Sequence, residues 1–329
     1  FFNTQKLLES HGHEVATFCT LNTKNIHSKF ESYYTDNPEI RDLNLLEKIK
    51  SIPRFFVNSN AAQQIDRLIK DFRPNVVHIH NMFNGLSLAI LPVIKKHNIP
   101  IVITLHDTRF ICPSSYFNLH AKHCNHCLKL GGLNCGLYKC YQGNILYSWM
   151  CALEMGHKEY LFNYNKYIDK YIFVSERYKD FHKQRHSYFM EKGCVLYNFL
   201  QNLRDIIPNH HKGDYFLYYG RLTEEKGIRT LVEAMRQMPE QRLKVVGTGP
   251  LLEELRVSAP KNIEFLGFCS GEHLFNQVSN ASFIIVPSEW EENNPLTIIE
   301  AYSYGKPVIG SKIGGIPEII NDHTGFLFE

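Results

Sequence analysis

The sequence contains no unbroken apolar stretch of about 18 residues, the least that a membrane-crossing helix needs, so no span is expected. It also lacks a charge bias. Its 36 Lys and Arg stand against 33 Asp and Glu, a formal charge of +3, which gives no electrostatic ground for a nucleic-acid partner. No G-x-G-x-x-G follows an early strand, so an NAD-type dehydrogenase fits poorly. The chain does not open on Met. Phe1 to Leu8 reads as mid-helix and His13 to Phe18 as a strand, whereas a Rossmann-like domain should open with a strand and a Gly-rich turn. The far end stops within the apolar run Gly325 to Phe328. The expectation is a fragment cut at both ends, in which a leader peptide is not open to judgement.

What is present points to two domains, because 329 residues give ample core for both. Helical apolar spacing over Ala61–Phe72 is broken at Arg73-Pro74. The strand Val76–His80, the helix Leu86–His97 and the buried strand Ile101–Leu105 follow. Such alternation makes an α/β protein with parallel sheets. The helix Ser148–Tyr164 carries Trp149, Leu153 and Tyr160, read as core. The polar stretch Gln201–Asp214 reads as a hinge, which divides the chain into domains 1–205 and 206–329. His80 and His106-Asp107 fall at the carboxyl ends of strands, where ligands of parallel sheets bind. His80 reads as a packed or solvent-facing side chain, and His106 as a site residue.

Nine cysteines, mostly scattered singly, suit a reduced, cytoplasmic setting. Four lie in a long insert, 108–143, as Cys124-x2-Cys127-x7-Cys135-x4-Cys140. That spacing could close a tetrahedral structural zinc site, with His120, His123 or His126 replacing a sulfur. Four reduced thiols, or a disulfide under oxidising conditions, are the alternatives. A catalytic zinc is not expected, since four protein ligands leave no open position.

The most informative stretch is Pro287 to Ser311. The buried strand Phe283–Val286 leads into the acidic loop Glu289-Trp290-Glu291-Glu292, and Asn293-Asn294-Pro295 opens a helix that Gly305 ends. The N–H groups of Leu296 and Thr297 would sit at a helix start suited to phosphate. Glu292 precedes that start and Glu300 lies about one turn inside. The E-x7-E pair, flanked by Pro287-Ser288, Glu300-Ala301, Gly305 and Pro307-Val308, resembles the donor-site signature of family 4 of the retaining glycosyltransferases.

The resemblance is dense over Tyr215–Phe328 and thinner before. It implies the GT-B architecture, two Rossmann-like domains facing across a cleft. It also implies transfer of a sugar from a nucleoside diphosphate donor to a hydroxyl acceptor. No Asp-x-Asp, the usual handle for a divalent ion, occurs in the chain. Two fixed cations can do the same electrostatic work, so catalysis is expected without a metal or other cofactor. Arg221 and Lys226, in a GRL-x-x-x-KG turn similar to the family's, would hold the diphosphate. Gly247 and Gly249 resemble a GxGP turn that admits the nucleotide, with Phe268 edging the base. Glu300 would bind ribose hydroxyls. Glu292 and the N–H groups at Asn294 and Leu296 would hold the sugar or distal phosphate, and His106 would contact the donor sugar. His106-Asp107-Thr108-Arg109 and Cys112-Pro113 are similar to bacterial members with a Cys-rich loop, so surface-polysaccharide or glycolipid synthesis is the expected setting. The acceptor would be lipid-linked or a saccharide, and contact with the cytoplasmic face of the membrane stays open. A nucleotide-sugar epimerase and a non-catalytic nucleotide or sugar binder are the rival readings.

Overall fold

The computed structural model describes residues 1–36, 56–83, 85–114, 118–119, 122–141, 143–201, 208–209 and 213–329. His120 and most of the expected hinge, 202–207 and 210–212, lie outside these residues. The chain forms two compact units. The first comprises Phe1–Ser115, Asn125–Phe173 and Phe181–Val195, the second Tyr116–Cys124, Val174–Asp180 and Leu196–Glu329. The expected division was a single cut near residue 205. The short stretches Tyr116–Cys124 and Val174–Asp180 instead join the second unit.

The first unit is built on β1 (Val77–Ile79), β2 (Ile101–Leu105), β5 (Lys170–Phe173) and β6 (Gly193–Val195), a parallel sheet in the order β1-β2-β5-β6. The intervening β3 (Asn118–Leu119) and β4 (Lys122–His123) make a two-stranded antiparallel pair. The helix Ser59–Phe72 begins where the Asn58 side chain accepts the N–H of Ala61, and ends at Arg73 in the left-handed region. It buries Ala61, Ile65, Leu68 and Ile69, one face at helical spacing. The strand expected at His13–Phe18 does not form. An isolated bridge between Thr20 and Thr35 forms just beyond this segment, which itself pairs with no strand among the described residues. β-propensity needs a neighbouring strand to pair with before it becomes a ladder.

The later part of the insert, from Asn125 on, folds within the first unit. The short helix Leu133–Leu137 packs on the helix Ile145–Gly156 through two glycines. A Cβ at Gly132 would lie 2.9 Å from that of Met155, and one at Gly136 would lie 2.5 Å from the Trp149 ring. Glycine here supplies close approach, and Trp149 fills the space. Leu153 and Tyr160, read as core from their spacing, are 59% and 70% exposed. The helix that carries Leu153, Ile145–Gly156, buries Ser148, Cys151, Ala152, Glu154 and Met155, and Tyr160 lies beyond it, in the helical segment His157–Phe162.

The second unit carries β7 (Phe216–Tyr219), β8 (Leu243–Val246), β9 (Ile263–Gly267), β10 (Phe283–Val286), β11 (Val308–Ser311) and β12 (Gly325–Phe328). They form one parallel sheet in the order β12-β11-β10-β7-β8-β9. Both faces are covered, as parallel sheets require. Leu217, Tyr219, Ile284, Val286 and Val308 face one apolar cluster, while Tyr218, Leu243, Val245 and Ile285 face the other. The order reverses at β7: the chain steps to β8 and β9 on one side, then to β10, β11 and β12 on the other. That switch point opens a crevice at the carboxyl ends of β7 and β10.

Gly136→Ala should force the Trp149 ring aside and cost about 1–3 kcal/mol by overpacking. Thermal denaturation measures it, and an unchanged melting temperature would contradict the packing described.

Candidate functional site

Three loops meet at the switch point through backbone contacts that only glycine allows. Gly227 has φ +66°, and a Cβ there would lie 1.8 Å from the Pro287 carbonyl oxygen. The turn after β7 is thereby pressed onto the loop after β10, and the Glu289 N–H donates to the Glu225 carbonyl at 3.1 Å. On the other side, a Cβ at Gly247 would meet the Gly220 oxygen at 1.8 Å, and one at Gly249 the Leu222 oxygen at 2.3 Å. The Leu222 N–H donates to the Thr248 carbonyl at 3.0 Å. These two glycines were assigned to nucleotide approach, and the structure gives them a further reason, the seating of one loop on another.

This docking sets the charges. Lys226 Nζ lies 2.6 Å from Glu292 Oε1, and the Ser288 hydroxyl donates to the same oxygen at 2.7 Å. The lysine and glutamate side chains are 27% and 13% exposed, so the pair is held in a largely enclosed place. Arg221 is different: its side chain is 67% exposed, and its guanidinium lies 3.8 Å from Glu225. Glu300 lies on the helix Leu296–Ser303, half-buried, and burial raises its pKa while a hydrogen bond with Tyr219 works against the rise. The Tyr219 hydroxyl also donates to the Thr297 carbonyl at 2.8 Å. Phe268, just past β9, is 75% exposed.

The helix start differs from expectation in one respect. Pro295, not Asn294, occupies the cap, and no side chain bonds there. The N–H groups of the first turn, Leu296 and Thr297 among them, have no partner within the helix. Asn294 is buried and turned the other way: its Oδ1 accepts the Asn198 N–H at 3.0 Å and its carbonyl accepts Asn198 Nδ2 at 2.8 Å. Asn294 Nδ2 is buried without a partner among the described residues, a donor still lacking an acceptor.

Several residues around this loop were not singled out by sequence reasoning. Ser175 donates to Asn293 Oδ1 at 2.7 Å, and the Tyr178 hydroxyl to the Glu291 carbonyl at 2.8 Å. Arg177 pairs with Glu291 at 3.1 Å. The Glu318 carboxylate accepts the N–H groups of Glu176 and Arg177, both at 2.8 Å. Gly314 and Gly315 press on the same loop, and the Gly315 N–H donates to the Glu292 carbonyl at 2.7 Å. All these partners are more than a hundred residues away or lie in a Gly-Gly turn, and no local pattern marks them.

In the first unit, β1 and β2 end in three histidines. His80 Nδ1 and His106 Nε2 are 2.9 Å apart, and His78 Nε2 lies 2.7 Å from the Thr104 hydroxyl. Desolvation holds His78 below its usual range and pushes His80 down to about 3, each helped by a neighbouring imidazole. His106 is lowered for the same first reason, although part of its ring stays exposed. Asp107 is raised by burial. Behind them, Arg109 pairs with Glu154 at 3.0 Å in a buried place.

Of the four cysteines assigned to zinc, Cys127, Cys135 and Cys140 belong to the first unit and Cys124 to the second. All four are free thiols. A hydrogen bond with the Cys112 thiol, together with burial, raises the pKa of Cys127, and a hydrogen bond with Cys140 does the same for Cys135. Among the described residues, no group of three or more His, Cys, Asp or Glu is arranged to hold a metal ion. Nor is any helix of these residues long and apolar enough to cross a membrane.

Two α/β units with parallel sheets, and glycine-seated loops at a switch point of the second, define a GT-B glycosyltransferase fold. The HepE protein of Anabaena, solved with UDP and glucose, superimposes with a TM-score of 0.57 at 18% identity, covering 98% of this chain and 74% of that one. Residues 2–201 match Glycosyltransferase Family 4 and residues 201–329 match Glycosyl transferases group 1. The chain belongs to Glycosyltransferase Family 4. An uncharacterized 42.6 kDa protein in the cps region of Klebsiella pneumoniae is 25% identical over 80% of this chain. The putative colanic acid biosynthesis glycosyltransferase WcaL of Escherichia coli is 31% identical over 32% of it. The chain spans 64% of the Klebsiella protein and 30% of the Escherichia coli one.

Two outcomes are expected. Gly227→Ala places a side chain against the Pro287 carbonyl at a strained φ, so it should lower the melting temperature. A variant with native melting temperature would contradict the seating. The depressed imidazoles bind protons more readily in the unfolded chain, so their contribution to stability is present above pH of about 6.5 and lost as pH falls below it. Melting temperatures between pH 7.5 and 5 test this, and His78→Phe should flatten the slope.

Proposed function

We propose that this chain is the catalytic part of a retaining, metal-independent glycosyltransferase that uses a nucleoside diphosphate sugar and a hydroxyl acceptor. The observation that carries the proposal is the Lys226–Glu292 pair, held at 2.6 Å beside the first turn of the helix Leu296–Ser303. A cation, unbonded N–H groups and two carboxylates together match the needs of a sugar nucleotide: anionic diphosphate at one end, hydroxyl groups at both.

In this reading Lys226 and Arg221 neutralise the diphosphate as it leaves, worth several kcal/mol at a preorganised site. Arg221, mostly exposed and weakly paired, is free to turn toward a ligand at small cost. Glu300 accepts the ribose hydroxyls, and Tyr219 holds its carboxylate in place. Glu292, already anchored by Lys226 and Ser288, accepts a sugar hydroxyl with its other oxygen. His106 is assigned to the transferred sugar by the family resemblance. Departure and attack take place on one face of the sugar, so a diphosphate oxygen receives the acceptor's proton and the configuration is kept. The UDP and glucose bound by HepE, and the polysaccharide role in the WcaL name, support a nucleotide-sugar donor and a polysaccharide or glycolipid product.

Thermal-shift measurements on the full-length protein with nucleoside diphosphates and their sugars should show stabilisation by one base, unchanged by a chelator. Lys226→Ala should cut kcat by about 100-fold or more, as loss of one preorganised contact does. Near-native turnover in that variant, or loss of activity with the chelator, would overturn the proposal.

A further inference from the structure

We propose that His80 is a positioning residue, which fixes the ring orientation and the tautomer of His106 through the imidazole–imidazole hydrogen bond at the end of β1 and β2. The inference rests on the role given above to His106. β1 and β2 run parallel with Ile79 opposite Ile103, so His80 leaves β1 beside Thr104, and His106, two residues further along β2, follows it at the same end of the sheet. His80 Nδ1 and His106 Nε2 meet at 2.9 Å, with the ring planes only 17° apart. His78 backs the arrangement. Its ring lies 4.3 Å from that of His80, and its Nε2 is tied to the Thr104 hydroxyl at 2.7 Å.

The chemistry follows from the bond. Two neutral imidazoles can share it only if one nitrogen carries the proton and the other does not. Desolvation lowers the pKa of both His80 and His106, so the neutral form is favoured in each partner at neutral pH. Within one ring the two nitrogens take opposite roles. Setting His106 Nε2 as acceptor therefore makes its Nδ1 a donor, and the reverse assignment makes Nδ1 an acceptor. A sugar hydroxyl can meet either, but a single fixed role at Nδ1 holds that hydroxyl in one orientation. A residue that acts only through a neighbour's tautomer carries no signal of its own, which explains why the sequence marks His106 and passes over His80.

The test uses the full-length protein. In His80→Phe, which keeps a ring but loses the hydrogen bond, kcat should fall about ten- to a hundredfold, in the range seen when a supporting hydrogen bond is lost. The donor KM should stay within about threefold. His80→Asn, whose amide can reach the place of Nδ1, should recover most of the loss. The double variant His80→Phe/His106→Ala should be no slower than His106→Ala alone, because the two act as a unit. A second readout needs no activity: nitrogen-15 shifts of the His106 ring should report one tautomer in the native protein and a mixture in His80→Phe. Native kcat in His80→Phe, multiplicative losses in the double variant, or an unchanged tautomer would each overturn the inference. The role of His106 fails separately, by native kcat in His106→Ala, and the transferase reading by absence of transfer from every sugar nucleotide in the native protein.

Discussion

The second unit depends on a contact between backbones rather than on any side chain. Gly227 against Pro287 lets the turn after β7 reach the loop after β10, and the distance between Lys226 and Glu292 follows from that contact. A long, flexible lysine loses rotamer freedom when it is held, and an exposed ion pair often gains nothing measurable in return. This pair is largely enclosed, and Ser288 bonds the same carboxylate oxygen. Partial enclosure strengthens the attraction and raises the desolvation cost together, so the pair contributes little net stability. What it does provide is a cation and a carboxylate in fixed positions before any ligand arrives.

The first unit solves a similar problem with buried charge. Lys158 is wholly buried. Its ammonium donates to the Arg109 carbonyl at 2.6 Å and lies 4.7 Å from the Phe83 ring centre. Arg109 in turn pairs with Glu154. Taking these groups out of water costs several kcal/mol each unless they are well paired. The cost is borne in the segment directly after β2, which carries His106 and Asp107, and it fixes the path of a chain that has just left its sheet.

The sequence showed the sheets well, because buried parallel strands are short apolar runs separated by helical spacing, and β2, β8 and β10 read as such. It also drew attention to Lys226, Glu292 and Glu300, whose residue types and spacing sit in a local strand–loop–helix frame, and the structure places Lys226 against Glu292. Other features escaped. The strand expected at His13–Phe18 has the right residues but no ladder partner among the described residues. Asn294 has the right type for a cap, yet its side chain is taken by Asn198, nearly a hundred residues earlier. Leu153 and Tyr160 fit a helical stripe, but the helix of Leu153 ends at Gly156, short of Tyr160, and glycine-mediated packing turned another of its faces inward. In the insert, spacing drew attention to Cys124, while the thiol hydrogen-bonded to Cys127 is Cys112, outside the C-x2-C pattern.

The escaped features share one physical cause. Local sequence reports what a residue can do, whereas long-range contacts decide which of its options is used. The stretch from Val174 shows this most fully. Glu176 opens a helix, and the N–H groups of its first turn need acceptors. Glu318 supplies them, from the far side of the acidic loop and 142 residues along the chain from Glu176. The acceptor's own turn is fixed by Gly314 and Gly315 packing on Glu292 and Asn293. Glutamate 318 therefore caps one segment, and the glycines before it brace the loop that carries Glu292. A change in either place would be felt at the Lys226–Glu292 pair through covalent chain and backbone hydrogen bonds alone.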